Sequence, residues 1–291
     1  MKFAITGNTT KGIVKGVIPE LLQWLSERKL DFILDRELAN YLQLPYHVAS
    51  DRLSTIAAAC DFVIAFGGDG TILSTARAVG ASATPIVGVN LGGLGFLTEV
   101  GVEELYPMLE NIERCRYSII ERMVVAATVH DPLGEIRYHA LNDVVIDRGG
   151  FSRVIRIDVY IDDAFLNTYI GDGIIVATPT GSTAYSLSSL GPILAPSVNC
   201  MIINPICPHS LTVRPVVIPD DSVVRVVPHG RESIITMSVD GQVNQQFPKA
   251  VNVEIILQKA EYSICCVQRE SKNFYNLLRK KLNWGIDKRM S

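Results

Sequence analysis

The chain has 291 residues, of which 48% are hydrophobic and 20% charged, with 22 glycines and 14 prolines. That profile excludes disorder and collagen-like repetition, and the length allows about two domains. Lys and Arg number 27 against 30 Asp and Glu, a formal charge of -3, so no bulk field steers nucleic acid, although a local basic pocket stays open.

In chain order, Phe3 to Thr6 reads as a short strand. Helical spacing follows from Val17 to Lys29, carried by Leu21, Leu22 and Leu25, with Pro19 suited to a first helical turn. Phe32 to Leu34 is the next strand. Phe62 to Phe66 is an apolar strand running into Gly67-Gly68-Asp69-Gly70, and Thr71 to Val79 reads as a helix. Pro85 to Val89 is another apolar strand, and a helix is expected near Glu103 to Leu109. Strand, glycine turn, helix, strand is the pattern of a parallel sheet covered on both faces.

Beyond about Cys115 the period changes. Arg156, Asp158, Tyr160 and Asp162 alternate with Ile157, Val159 and Ile161, which is a strand with one wet face. Further strands are expected at 123–129, 142–146, 173–177, 201–203, 223–227, 234–239 and, less regularly, 251–258, with a short helix around Thr183 to Leu187. Many strands punctuated by Pro, Gly and Asp argue for an all-β, sandwich-like domain. Helical spacing returns from Ser271 to Leu282. The expected division is therefore an α/β domain of residues 1–115 and 268–291, made discontinuous by the returning tail, and a β-rich domain of residues 116–267.

The N-terminus MKFAITGNTT lacks the apolar run of a signal peptide, and no apolar stretch approaches a membrane span. The six cysteines lie mostly in apolar segments without a C-x-x-C pair, which suits reduced thiols in a cytoplasmic protein. The five histidines are scattered, and none stands at zinc-ligand spacing. The tail run Arg279-Lys280-Lys281 reads as a solvated helix face.

Chemistry concentrates in three glycine-bearing clusters. In the first, Gly67, Gly68 and Gly70 let the backbone turn sharply at a strand end and bring N–H groups to an anion at the start of the next helix. Asp69 inside such a site repels phosphate. It therefore serves as a metal ligand or proton acceptor, or else merely caps the helix of a simple turn. The second cluster, Asn90, Gly92, Gly93 and Gly95, is not the dinucleotide G-x-G-x-x-G. Gly7 and Gly12 bracket Asn-Thr-Thr-Lys, but the residues that follow are Ile13 and Val14, so the P-loop reading fails. The third cluster runs from Gly171-Asp172-Gly173 through Thr178, Thr180, Ser182, Thr183, Tyr185 and Ser186. Its hydroxyls suit ribose, amide and adenine edges, though a Ser/Thr-rich surface turn would look the same. Asn142-Asp143 pairs an amide with a carboxylate at a strand start. Asp240-Gly241 reads as a hairpin turn.

With these residues in hand, the chain resembles the bacterial NAD kinases. The matching pieces are FGGDGTIL (66–73), GVNLGGLGFLTEV (88–100), ALNDVVIDRG (140–149), GDGIIVATPTGSTAYSLSS (171–189), PICPHSLTVRPVVIPD (205–220) and SVDGQ (238–242). The glycine-aspartate turn alone is shared with lipid kinases, and the 171–189 run is what makes the resemblance specific.

The resemblance implies an active site between the two domains. There the terminal phosphoryl of ATP, or of polyphosphate, would pass to the 2′-hydroxyl of the adenosine ribose of NAD with Mg²⁺ as cofactor. It makes Asp69 the catalytic aspartate and puts Gly67, Gly68, Gly70, Thr71, Asn90 and Gly92 on the phosphate donor. Asn142 and Thr183 become adenine-side ligands, and Tyr185 packs along the dinucleotide. Asp172 lies near the nicotinamide end, and Thr180, Ser182, Ala184 and Ser186 belong to the same NAD-binding pocket. Asp143 is expected in the same NAD-binding set; the family usually carries Asn-Glu where this chain has Asn142-Asp143, so the carboxylate reaches one methylene less far toward the ribose. A homodimer or homotetramer through the C-terminal domain is implied as well. The competing expectations are a lipid kinase with the same turn and a non-catalytic dinucleotide sensor.

Overall fold

The computed structural model describes residues 1–45, 49–93, 95–98, 100–132, 134–149, 154–250, 253–268 and 273–284. Two compact units emerge, Met1–Glu121 with Ile264–Ser291, and Arg122–Ser263.

The chain opens with β1 (Lys2–Gly7), α1 (Val14–Glu27), β2 (Asp31–Asp35), α2 (Arg36–Tyr41), β3 (Ser50–Asp51), α3 (Leu53–Ala57) and β4 (Phe62–Gly67). Next come α4 (Asp69–Val79), β5 (Ile86–Asn90), β6 (Val100–Gly101), α5 (Leu105–Glu113) and β7 (Ser118–Arg122). The second unit contributes β8 (Val125–Asp131), β9 (Gly134–Ala140), β10 (Asp143–Asp147), β11 (Ile155–Ile161), β12 (Ala164–Gly171) and β13 (Gly173–Ala177). It continues with α6 (Tyr185–Ser188), β14 (Cys200–Ile206), β15 (Val216–Pro219), β16 (Val224–Val239), β17 (Val243–Ala250) and β18 (Glu254–Lys259). The chain then returns to the first unit as β19 (Ile264–Gln268) and α7 (Phe274–Leu282).

In the first unit the sheet runs β3-β2-β1-β4-β5-β19-β7, with β6 beside β5. The pairs β1–β2, β1–β4, β4–β5 and β19–β5 are all parallel. Every residue of β4 is buried, as a parallel strand covered on both faces requires. α1 buries Val14, Ile18, Leu21, Leu22 and Leu25 along one stripe against this sheet. The helix begins at Val14, so Pro19 lies in its second turn and not in the first as expected. The strand order reverses between β1 and β4. Ligands of open α/β sheets collect at such a switch point, outside the carboxyl ends of the strands.

In the second unit, β16 is long enough to serve two sheets. Residues 224–229 pair with β11 and β18, whereas residues 234–239 pair with β10 and β17. Between the two layers Val129, Val144, Ile157, Val176, Met237 and Ile255 pack into one core, so the β domain is a sandwich with β16 as its corner. β11 shows the expected alternation, with Ile155, Ile157 and Val159 buried and Arg156 exposed.

Two boundaries move from the sequence expectation. Residues 116–121 and 264–267 belong to the first unit, because β7 and β19 extend its sheet beyond β5. The terminal helix starts at Phe274; residues 271 and 272, expected within it, lie outside the described residues. The hairpin partners β9, β12 and β17 have weaker patterns in sequence and were not expected.

Candidate active site

Candidate site residues occur in both units. In the first, β4 ends at Gly67 and α4 begins at Asp69, with Gly68 as its N-cap residue. The turn is tight because Thr71 folds its side chain over Gly67, into the space a Cβ would fill. Asp69 does not cap its own helix. Its Oδ2 accepts the backbone N–H of Phe96 at 2.8 Å and its Oδ1 that of Leu97 at 2.9 Å. Each oxygen retains a lone pair, so the carboxylate is immobilised and can still accept a proton. Phe96 is in turn covered by Lys281 of α7, whose ammonium lies 5.0 Å from the ring centroid. The returning tail thus buttresses the loop that holds Asp69.

Beside Asp69 lies an open cleft of about 930 Å³ at the switch point. Its walls are the loop after β1 (Thr6 to Thr9, and Lys11), the end of β2 (Asp35 to Glu37), the start of α3, and the first turns of α4 with Gly68, Gly70 and Thr71. The positive end of the α4 dipole therefore faces one wall. The Lys11 ammonium lies beside Gly92, about 3.0 Å from where a Cβ on that glycine would stand. Burial raises the Asp35 carboxyl above the ordinary range, the neighbouring Glu37 charge adding to it and the Thr6 hydroxyl opposing it.

Two residues expected on the donor side make other contacts in the structure. Gly67 is fully inside β4, its carbonyl accepting the N–H of Leu91, so it shapes the turn and does not face the cleft. Asn90 spends its side chain on its own loop, donating to the Gly93 carbonyl at 3.0 Å and accepting from Gly92 N–H at 2.9 Å.

In the second unit the turn after β13 is pinned to the start of β10. The Thr178 hydroxyl donates to the Leu141 carbonyl at 2.6 Å, and Thr178 N–H donates to the Asn142 carbonyl at 2.9 Å. Gly181 packs directly on the Asn142 backbone, where a Cβ would collide with the carbonyl. Asn142 keeps its carboxamide half-exposed and without a hydrogen-bond partner among the described residues. Tyr185 is 45% exposed, and Thr183 and Ala184 are half-buried. Asp172 is half-buried in an ion pair with Arg148 at 3.3 Å.

Ser182 and Ser186, expected as NAD contacts, are fully buried. The Ser182 hydroxyl donates to the Pro179 carbonyl at 2.6 Å and accepts Leu194 N–H at 3.0 Å. Ser186 is held by Asn204, which donates to its carbonyl at 3.0 Å and its hydroxyl at 3.1 Å. Thr180 is nearly buried as well, 3.5 Å from a guanidinium nitrogen of the buried Arg122. These three hydroxyls are buried and hold the turn together.

Asp143 is 4% exposed. Burial pushes its carboxyl up to about 7, helped by the nearby Asp240, while the Tyr185 N–H pulls the other way. Asp240 adopts φ 52° and Gly241 φ 64°, as a tight hairpin between β16 and β17 demands. Its side chain does more: it accepts the N–H groups of Leu141 at 3.1 Å, Asn142 at 2.7 Å and Asp143 at 3.2 Å. The sequence reading missed Asp240 in this role, as it missed Asn204 and the Thr6–Lys11 wall. A polar residue inside the apolar run of β14 is the signal that could have found Asn204.

The comparisons with known proteins agree in both units. The family described as the ATP-NAD kinase N-terminal domain matches residues 3–117, and that described as the ATP-NAD kinase C-terminal domain matches residues 141–267. The NAD kinase of Geotalea daltonii is 41% identical over 271 residues, covering 93% of this chain and 94% of that protein.

The chain belongs to the NAD kinase family.

Another family member, the NAD kinase of Koribacter versatilis, is 40% identical over 283 residues, 97% of this chain and 98% of its own. Among solved structures, yeast NADH kinase complexed with NADH superposes with a TM-score of 0.90 at 26% identity, covering 100% of this chain and 90% of that one. The NAD kinase of Archaeoglobus fulgidus in complex with ATP superposes with a TM-score of 0.74 at 25% identity, covering 98% and 100%.

Proposed function

We infer that this chain transfers the terminal phosphoryl group of ATP to the 2′-hydroxyl of the adenosine ribose of NAD, giving NADP and ADP. Family membership over nearly the whole chain supports the reaction. The observation that carries the assignment of its catalytic group is Asp69, fixed by two backbone N–H groups beside the cleft at the switch point.

In this reading the first turn of α4 and Lys11 hold the donor phosphates, and Asn142, Thr183, Ala184 and Tyr185 hold the adenosine of NAD. A neutral ribose hydroxyl is a poor nucleophile. The carboxylate of Asp69 accepts its proton as the new P–O bond forms and the bond to the β-phosphate oxygen breaks, leaving ADP. No group of three or more His, Cys, Asp or Glu is gathered to hold a metal among the described residues. Mg²⁺ therefore fits best as part of the substrate, carried in on the triphosphate, where it neutralises phosphate charge.

The same reading includes a cytoplasmic location, in keeping with six free thiols, and assembly into a dimer or tetramer through the β domain. Exposed Phe165 and Ile170 on β12 and Val217 on β15 support that assembly. A coupled assay for NADP formation, run with ATP and with inorganic polyphosphate in parallel, tests the function. Tight NAD binding without any NADP would favour the sensor, and phosphorylation of diacylglycerol the lipid kinase.

A further inference from the structure

The cleft at the switch point has two chemically different ends. At one end stand the first turn of α4 and the Lys11 ammonium; at the other, at the carboxyl end of β2, stand Asp35 and Glu37. Arg36 and Arg52 line this end as well, so its charge is mixed; Arg36 is turned to Asp51 at 2.6 Å. A bare phosphate chain suits the first end, whereas the second offers hydrogen-bond acceptors to a sugar.

Asp35 is held in a fixed position. It stands at the N-cap position of α2 and makes no side-chain cap hydrogen bond. Its Oδ2 instead accepts the Thr6 hydroxyl across the adjacent strand at 3.1 Å. The carboxylate is thereby fixed in the cleft wall; the backbone N–H groups of Glu37 and Arg36 also bear on it, and among the described residues Thr6 is its one side-chain partner. An acid at the end of the second strand of a β-α-β unit is the general device by which such folds bind ribose hydroxyls, and it persists here without the glycine fingerprint. Asp35 and the start of α4 are two strand spacings apart, roughly 10 Å. That is about the reach of a nucleoside triphosphate from its sugar hydroxyls to its terminal phosphate.

We propose that Asp35, held by Thr6, binds the ribose hydroxyls of the nucleoside triphosphate donor and so determines donor specificity in this cleft. The donor lies with its sugar at the β2 end and its phosphates at the α4 end. This rests on the phosphoryl-transfer reading above, but it concerns a different part of the ligand.

The test is calorimetric binding to the full chain without NAD, so that no turnover is needed. ATP, 2′-deoxy-ATP, 3′-deoxy-ATP and inorganic tripolyphosphate are titrated into wild type, Asp35→Asn, Asp35→Ala and Thr6→Val. Loss of a ribose hydroxyl should weaken binding to wild type about tenfold or more, as expected for a hydrogen bond to a charged group. Asp35→Ala should weaken ATP by a similar factor and bind ATP and its deoxy analogues alike, with tripolyphosphate unchanged. Asp35→Asn keeps the shape and should lose most of the discrimination, and Thr6→Val should lose part of it. Equal binding of ATP and both deoxy analogues by wild type overturns the proposal, as does an Asp35→Ala protein that discriminates like wild type. So does a tripolyphosphate affinity that falls in step with ATP, since Asp35 would then support the cleft and not the sugar. If ATP binds with the ribose preference and no NADP forms, the kinase reading falls and this one stands. If NADP forms equally well from ATP and its deoxy analogues, the reverse holds.

Discussion

Gly95 runs against Asp69 so closely that a methyl group on its Cα would overlap Oδ1 of the carboxylate. The missing side chain, and not backbone freedom, is what the position requires. It lets the N–H groups of Phe96 and Leu97 reach the two oxygens. Gly93, two residues earlier, is exposed and has open space where a Cβ would stand.

The pair makes a matched experiment. Gly95→Ala should lower kcat for NADP formation about 100-fold, the order expected when a catalytic group is displaced by an ångström. Stability should fall by about 1–3 kcal/mol from overpacking. Gly93→Ala should leave both unchanged. Steady-state kinetics with urea unfolding of both variants checks this, and equal activity in the two would remove Gly95 from any part in positioning Asp69.

Asp69→Asn is less conservative than it looks. The amide NH₂ must face either Phe96 N–H or Leu97 N–H, so one donor meets another donor. We expect kcat to fall by about 10²–10⁴, the usual weight of a general base. Stability should also fall, by about 1–3 kcal/mol for the stranded N–H. NAD affinity measured by calorimetry should stay within about threefold, since a carboxylate that only accepts a proton contributes little to ground-state binding. Near-normal turnover would mean that Asp69 is not the acceptor.

The tight turn at Asp69 was legible because a carboxylate between glycines at a strand end is a local conflict that a short window of sequence displays. In the 171–189 turn the sequence displays the hydroxyls but not which of them are buried. Ser182 and Ser186 carry the same chemistry as Thr183, and only long-range packing against Leu194 and Asn204 takes them away from solvent. Asp240 showed its turn and hid its second role, because its three N–H partners lie nearly 100 residues earlier in the chain. The Thr6–Lys11 wall failed the P-loop pattern and so went unread. What marks it is the strand order at β1 and β4, which no local pattern contains. The domain boundary slipped for a like reason, since β19 joins β5 across well over a hundred residues.

The buried hydroxyls give a third prediction. Ser182→Ala removes the acceptor of Leu194 N–H and the donor to the Pro179 carbonyl. Leaving a buried N–H unpaired costs about 1–3 kcal/mol. The expected result is lower stability in urea and a raised KM for NAD with kcat nearly unchanged, because the turn loosens without losing a ligand contact. Tyr185→Ala should likewise raise KM but leave stability little changed, since the residue is 45% exposed. Urea unfolding alongside NAD titrations separates the two, and a stable Ser182→Ala protein with weak NAD binding would return Ser182 to the pocket.

Asp143 supplies a pH dependence whose sign is fixed by its surroundings. Its carboxyl is raised from 3.8 to about 7 in the folded chain, by burial first and then by Asp240. An acid that holds its proton more tightly when folded stabilises the fold most at low pH, and loses that contribution as pH rises. The loss should run from about pH 4 to about pH 7 and be complete by about pH 8, amounting to a few kcal/mol. Asp143→Asn cannot ionise, and its carboxamide oxygen can still accept the Tyr185 N–H. Its stability should exceed that of wild type above pH 7, and the difference should shrink steadily as pH falls to 4. Urea unfolding of both proteins at half-unit steps of pH measures that difference directly. Parallel curves across the whole range would mean that Asp143 titrates at its ordinary value and that the buried pair with Asp240 is already relieved by its hydrogen bonds.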